Sequence, residues 1–137
     1  GARMTVLLDS SALLALHIDG PSRTVVLDVL ERDTDWAACA LALGEAVAAA
    51  ARLVDEPVLV RHLEDLVRHT WDFLHVVPVD QALLDDATAV CHAQPVGLST
   101  ALHLSAAARL PATVRFVTFD AAQIPVALSM GFEVVSG

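Results

Sequence analysis

Two acidic residues of this sequence directly follow short apolar stretches. Asp9 ends such a stretch near the start of the chain, and Asp120 ends another near its finish. If both stretches are parallel strands of one sheet, their carboxyl ends open on the same edge, where α/β proteins build their sites. Glu45 is the only charged residue of the alanine-rich segment 40–51. An isolated carboxylate there is costly unless a cation or a donor compensates it, so three converging acids indicate a hard metal ion.

Each acid also has a purely structural interpretation. Asp9 and Asp120 could cap a helix or stabilise a turn. Glu45 could be a buried glutamate that accepts hydrogen bonds from backbone donors. Equivalent positions after two strands favour a shared site for the two aspartates, and Glu45 strengthens that prediction because its helical neighbours are small or apolar.

Composition predicts one compact domain over residues 4–137. The chain has 137 residues and is 55% hydrophobic, enough to bury about two thirds of its unfolded surface. We interpret Gly1–Arg3 as a tag remnant that precedes the native start at Met4. No apolar run reaches the roughly 18 to 20 uncharged residues that a membrane span requires. Cys39 and Cys91 have no CxxC partner, which predicts reduced thiols in a cytoplasmic protein without membrane attachment.

The charge of the chain limits how it could contact nucleic acid. The formal net charge is −9 and the sequence contains no lysine, which argues against a general phosphate-binding surface. If nucleic acid is the substrate, metal ions must offset the acidic pocket and a few arginines must position the strand. Arg52, Arg61 and Arg68 are the best candidates, although ion pairs with nearby acids on the same helix explain Arg61 and Arg68 equally well.

Short β-rich runs alternate with longer helical patterns along the chain. This alternation predicts βαβ units and a three-layer α/β/α fold with a five-stranded, mainly parallel sheet. The predicted strands are Thr5–Leu8, Trp36–Cys39, Phe73–Val77, Val114–Thr118 and Glu133–Val135. The predicted helices are Ser10–Ile18, Ser22–Arg32, Leu41–Leu53, Val58–Thr70, Gln81–Ala93, Ser99–Leu110 and Ala121–Met130.

Helix starts are predicted from polar residues before the apolar patterns. Ser10, Asp80, Ser99 and Asp120 are the expected caps of the first, fifth, sixth and last helices. Pro125 lies within the last pattern, which predicts an irregular start or a short helix there.

Four segments in this order resemble the PIN domain family, and most of all the VapC-type toxins of bacterial toxin–antitoxin pairs. The resemblance spans nearly the whole chain from Met4. It rests on Leu7–Leu16, the apolar helix bearing Glu45, the segment Gly97–Ala107, and Phe116–Asp120 followed by Ala127–Phe132. It implies a five-stranded parallel sheet between helices and a Mg²⁺- or Mn²⁺-dependent endoribonuclease.

By position, the resemblance makes Asp9, Glu45 and Asp120 the first, second and fourth acids of the family site. These residues would be catalytic and would bind the metal, Glu45 directly or through water. Accessory roles are implied for the hydroxyls of Ser11 and Thr118 and for His103, which follows the third acidic position by three residues. A packed core histidine is the alternative interpretation of His103.

The third acid is missing, because Thr100 stands where the family pattern has aspartate. A threonine hydroxyl ligates weakly and supplies no charge, whereas hard divalent ions prefer carboxylate oxygens. We therefore expect weaker metal binding. The leading hypothesis is a nuclease that cleaves single-stranded or structured RNA; the alternative is a weakened or inactive PIN domain that binds RNA or an antitoxin.

Two predicted helices, Ser22–Arg32 and Val58–Thr70, carry apolar residues on more than one face. An excess of apolar surface on a small domain predicts a partner surface. The resemblance implies a homodimer and a cognate antitoxin that covers the acidic cleft. A phospho-receiver or dinucleotide-binding domain would also gather acids at strand ends, but the chain lacks the lysine of the former and the glycine-rich turn of the latter.

Overall fold

The structure is a computed structural model that describes residues 4–111 and 113–137. The segment interpreted as a tag remnant lies outside the described residues. Among the helices that the structure describes, none is long and apolar enough to cross a membrane.

Five parallel strands form one sheet, as the alternating sequence pattern predicts. Their order across the sheet is β3-β2-β1-β4-β5. The strands are β1 (Thr5–Leu8), β2 (Asp35–Cys39), β3 (His75–Val77), β4 (Val114–Val117) and β5 (Glu133–Val135). The predicted α/β fold class is therefore confirmed.

Seven α-helices connect these strands within the described ranges. They are α1 (Ser10–Ala15), α2 (Pro21–Arg32), α3 (Leu41–Leu53), α4 (Pro57–Trp71), α5 (Gln81–Ala93), α6 (Leu98–Ala108) and α7 (Ile124–Ser129), the last preceded by the 3₁₀ turn Ala121–Gln123. The irregular start predicted near Pro125 is confirmed, because this proline occupies the first turn of α7. Proline is tolerated there since the first amide groups of a helix have no intrahelical acceptor.

Several predicted boundaries are wrong by a few residues. The third strand begins at His75 rather than Phe73, because Phe73 and Leu74 close the turn that ends α4 through bonds to the carbonyls of Thr70 and Trp71. The first helix ends at Ala15 rather than Ile18.

Two predicted helix caps are also wrong. Asp9, not Ser10, caps α1, since it is extended and its side chain accepts from Ala12 N. Gly97, not Ser99, precedes α6 and provides no side-chain cap. The caps Asp80 and Asp120 are confirmed, each accepting from a backbone amide at its helix start.

The side chains of the sheet alternate between two apolar cores. Val6 and Leu8 of β1 pack with residues of α1 to α4 on one face. Leu7 of β1 and Phe116 of β4 pack with residues of α5, α6 and α7 on the other. Successive strand residues point to opposite faces, so a strand buried on both sides is apolar throughout. The result is the three-layer arrangement predicted from the sequence.

Both cysteines are free thiols, as predicted. Cys39 is fully buried at the end of β2, and burial raises the pKa of its thiol. It therefore packs as a small apolar residue.

Candidate active site

The strand order creates a crevice between the carboxyl ends of β1 and β4. From β1 the chain runs outward through β2 and β3 and then returns to the other side of β1 as β4. This reversal is a topological switch point, where the connections leave in opposite directions and open a cleft. Asp9 follows β1, and Asp120 follows β4 by three residues, so the two acids flank this crevice.

Asp9 is almost fully buried, with 1% of its surface exposed. Its Oδ1 accepts from Ser11 Oγ at 2.6 Å and from Ala12 N at 2.9 Å. Its Oδ2 accepts from Thr118 Oγ1 at 2.5 Å and from Gln123 Nε2 at 3.1 Å. A carboxylate has about four acceptor positions, and four donors use them all. These bonds explain how a charge is tolerated inside the protein and fix its orientation.

Ser11 and Thr118 tie Asp9 to the segment that carries Asp120. The hydroxyl of Ser11 donates to Asp9 and accepts from Phe119 N at 2.9 Å. The hydroxyl of Thr118 donates to Asp9 and accepts from Asp120 N at 3.0 Å. Each hydroxyl thus uses both of its hydrogen-bonding capacities, and the two bridges hold the loop after β4 against the start of α1.

Gln123 is a site residue that the sequence interpretation missed. It is 5% exposed, and its Nε2 lies 3.1 Å from Asp9 Oδ2 and 3.5 Å from Asp120 Oδ2. The two carboxylates therefore share one amide donor. The sequence did contain a signal for this residue. Gln123 lies three positions after Asp120 and is flanked by alanine, isoleucine and proline, so it is an isolated polar residue, as Glu45 is in its alanine-rich segment.

Asp120 differs from Asp9 because it is exposed to solvent. Its Oδ1 accepts from Ala122 N at 3.1 Å, which caps the 3₁₀ turn. The structural interpretation of this residue as a cap is thus correct, and its second oxygen still faces the crevice beside Gln123.

Glu45 pairs with His103 across two helices. Glu45 lies in the second turn of α3, which leaves the carboxyl end of β2, and its Oε1 is 2.6 Å from His103 Nε2 on α6. The side chain of His103 is 2% exposed and that of Glu45 32% exposed. The hydrogen-bonding partner of this glutamate is therefore an imidazole rather than the backbone donors that the alternative interpretation expected. Such a bond fixes the direction of a half-exposed carboxylate.

The described residues do not form a ready-made cage for a metal ion. Within residues 4–111 and 113–137, no group of three or more His, Cys, Asp or Glu side chains could hold one. Thr100 lies half-buried in the first turn of α6. The convergence of Glu45 with the two aspartates remains a prediction.

The donor chemistry at the crevice nevertheless suits a divalent cation at Asp9 and Asp120. Two carboxylates face one amide, and Gln123 Oε1 is buried without a hydrogen-bond partner among the described residues. Carboxylate and amide oxygens are the ligands that hard cations accept, with water completing the shell. Because donors already fill the positions of Asp9, a cation that binds it directly must displace one of them.

The arginines proposed for RNA are exposed on α3 and α4. Arg68 pairs with Glu64 one turn away at 3.0 Å, with its side chain 55% exposed. Arg52 lies in the last turn of α3 and Arg61 in the middle of α4. The same-helix ion pair considered for Arg68 is present, and pairs of this kind contribute little to stability.

A surface hollow adjoins the crevice on the side of α1. It has a volume of about 330 Å³ and is lined by residues of α1, of the loop that follows it and of the start of α2, including Ser11, Asp19 and Ser22. A larger hollow of about 500 Å³ is lined by Thr5, Asp35 and His75, which start β1, β2 and β3. The larger hollow is therefore at the opposite end of the strands from Asp9 and Asp120.

The protein is thus an open-sheet α/β protein with an acid pair at its topological switch point, the place where such folds bind their ligands. The chain belongs to the PIN domain family, whose profile matches residues 6–136. A comparison with curated protein sequences found no significant match.

Solved structures share the same fold at low sequence identity. The crystal structure of FitAcB from Neisseria gonorrhoeae superposes with a TM-score of 0.73 at 14% identity, covering 96% of this chain and 96% of that one. A toxin–antitoxin complex from Klebsiella pneumoniae gives 0.67 at 16% identity, covering 88% and 90%. VapBC2 from Rickettsia felis, bound to a DNA fragment from its promoter, gives 0.69 at 11% identity, covering 98% and 99%.

Proposed function

We propose that this PIN domain is a metal-dependent endoribonuclease of the VapC toxin type, which cleaves single-stranded or structured RNA in the cytoplasm. The observation that carries the proposal is the acid pair at the switch point: Asp9 and Asp120 share the amide of Gln123 beside the crevice. Membership of the PIN family supports a nuclease. The cofactor proposed is Mg²⁺ or Mn²⁺.

The acidic residues would have different roles in metal and substrate binding, according to how exposed each one is. Buried Asp9, held by Ser11 and Thr118, provides a fixed carboxylate, and exposed Asp120 provides one that the substrate can reach. Glu45, directed by His103, would contact the ion directly or through water. A bound Mg²⁺ or Mn²⁺ supplies positive charge for the scissile phosphate and lowers the pKa of a coordinated water.

Positioning of RNA is proposed for Arg52, Arg61 and Arg68. They are exposed on α3 and α4, where α3 is also the helix that bears Glu45. With a net charge of −9, few other cations are present to contact phosphates, so we expect modest RNA affinity that falls with salt.

An antitoxin is the proposed protein partner. The similar structure from Klebsiella pneumoniae is a toxin–antitoxin complex, and the acidic crevice of this chain suits a basic side chain from such a partner. Binding of that kind would block the site by occupying Asp120.

The test is cleavage of a single-stranded RNA in the presence of Mn²⁺. Asp120→Asn keeps the shape of the side chain and its cap while removing the charge, and should lower the rate by roughly a hundredfold or more. Asp86→Asn, the same change at an exposed position of α5, should leave the rate unaltered. Equal rates for wild type and Asp120→Asn would reject the proposal. Asp9 is a poorer choice because four donors surround it.

A second candidate function is a weakened or inactive PIN domain that binds RNA or an antitoxin. The observation that favours it is Thr100, an uncharged residue at the third acidic position. If the wild type binds RNA without cleaving it and Thr100→Asp cleaves it in Mn²⁺, the second function is correct. If Thr100→Asp leaves Mn²⁺ affinity and rate unchanged, Thr100 lies outside the metal shell.

A further inference from the structure

Gln123 is a buried amide with one half of its hydrogen-bonding capacity unused. It is 5% exposed, its Nε2 donates to Asp9 and Asp120, and its Oε1 has no hydrogen-bond partner among the described residues. Buried amide oxygens normally accept a bond, because water is no longer available to them. The resemblance to the PIN family gives this residue no role.

The amide of Gln123 faces the space in which a cation held by the two carboxylates would lie. Nε2 lies within hydrogen-bonding reach of one oxygen from each acid, with the longer contact to Asp120. A polarised N–H group offers only a partial positive charge to two acids at this site. The arrangement is thus a weak neutral substitute for a divalent ion.

A half-turn of the amide about its terminal bond exchanges Nε2 and Oε1. This torsion in glutamine is broad and roughly two-fold, so both orientations are accessible to the same side chain. With Oε1 turned inward, the oxygen would face two carboxylates, which is unfavourable unless a cation lies between them. The two orientations therefore correspond to a cation-free and a cation-bound state.

We propose that Gln123 is a ligand of the divalent cation, contributing Oε1 after this half-turn and partly replacing the carboxylate that is absent at Thr100. The inference rests on the proposed metal-dependent function and deepens it. The half-turn would also leave one acceptor position of Asp9 Oδ2 without its donor, so that this oxygen could hold the ion together with Gln123. The amide oxygen of Gln123 adds a ligand without adding charge, so we expect the site to bind the cation more weakly than one with a third acid.

Calorimetric titration with Mn²⁺ alone tests the proposal, because it shows whether each substitution of Gln123 weakens or strengthens Mn²⁺ binding. Gln123→Met keeps the length of the side chain and removes both polar atoms, and should weaken Mn²⁺ binding by about ten- to a hundredfold. Gln123→Glu should strengthen it, because a carboxylate takes the place of the amide oxygen. Gln81→Met and Gln81→Glu make the same changes at the exposed first residue of α5, which contacts Asp85 one turn further on. These two variants should leave Mn²⁺ binding unchanged.

Unchanged or tighter binding by Gln123→Met would overturn the proposal, because an amide that only occupies the acids competes with the ion. If wild-type protein still cleaves RNA with Mn²⁺ in that case, the proposed function stands without this ligand. Absence of any Mn²⁺ binding by the wild type would overturn both.

A second measurement on the wild type does not depend on the variants folding. In a ¹H–¹⁵N spectrum with the Gln123 side-chain amide assigned by triple resonance, titration with diamagnetic Mg²⁺ should shift this pair of signals as its N–H groups leave the carboxylates. The Gln81 side-chain signals are the internal control. A Gln123 pair that stays in place at saturating Mg²⁺ would reject the half-turn.

Discussion

Asp9 shows how one buried charge organises its surroundings. Four donors from three segments converge on it: the start of α1, the residue after β4 and the turn before α7. Each bond to a charged group contributes about 1.5 to 3 kcal/mol when its geometry is good. The same contacts that stabilise the charge of Asp9 also hold the start of α1 at a fixed distance from the loop that carries Asp120.

The hydroxyl of Thr118 should therefore contribute more to stability than its size suggests. Thr118→Val keeps the shape and leaves Asp9 Oδ2 and the amide of Asp120 each without one partner. We expect a loss of about 1 to 3 kcal/mol in the free energy of unfolding, measured by urea denaturation.

Thr88→Val is the matched control, since this exposed hydroxyl donates to the carbonyl of Leu84 in its own helix and does not touch the site. Its change should stay within about 0.5 kcal/mol. Equal effects of the two substitutions would contradict the role assigned to Thr118.

At the scale of elements, an exposed ion pair joins the start of α5 to the end of α6. Arg109 donates to Asp80, with 2.9 Å between Nη2 and Oδ1. This bond, together with the amide of Leu83, lowers the pKa of the Asp80 carboxyl. A carboxyl with a lowered folded-state pKa stabilises the protein above its unfolded pKa of about 3.9 and loses that contribution as pH falls through the folded value.

Asp80→Asn should expose this pH dependence. Asparagine retains the cap and loses the charge. The wild type should be the more stable protein at pH 6, and the difference should shrink steadily below about pH 4. Thermal unfolding of both proteins between pH 3 and pH 7 measures it, and a difference that is constant over this range would contradict the assignment.

The elements were largely predictable from the sequence. Periodicity predicts β1, β5, α3 and α5 with the observed bounds, because these segments carry a clear apolar pattern and polar or proline boundaries. Phe73 was misassigned because its apolar side chain, exposed in the structure, resembles the start of a strand. Local hydrogen bonds that close α4 override that tendency.

The site was predictable only in part, for a physical reason. An acid that follows a predicted parallel strand lies at the carboxyl edge of the sheet. Asp9 and Asp120 each follow such a strand, so the sequence predicts that they share this edge. The partner of Glu45 lies 58 positions away on α6, and no local pattern encodes such a contact. Gln123 was not predicted because the sequence argument selected isolated charged residues, and an amide carries no charge.

At the scale of the whole molecule, α4 presents an apolar surface to solvent. Val58, Leu59 and Leu66 are 65%, 48% and 37% exposed, while Leu63 and Val67 of the same helix are buried. The second helix predicted to carry such a surface does not: within α2, Val26, Val29 and Leu30 are buried and Val25 and Leu27 are half-buried. A partner surface, if present on one of these two helices, is therefore expected on α4.

We predict that the protein is a homodimer through α4. Light scattering at micromolar concentration should give twice the mass of one chain, and Leu59→Ser should shift the population toward monomer. Leu128→Ser removes a comparably exposed leucine from α7 in the other helical layer and should leave the mass unchanged. A wild-type mass equal to one chain would contradict the prediction.

The two aspartates of the crevice lie far apart in the sequence. Asp9 directly follows β1, whereas the neighbouring strand β4 and Asp120 come after residue 113. During synthesis on the ribosome, a nascent chain that stops short of β4 lacks Asp120 and the two donors to Asp9 Oδ2, Thr118 Oγ1 and Gln123 Nε2. A product truncated before β4 should therefore lack the acid pair, and with it the ribonuclease activity proposed above.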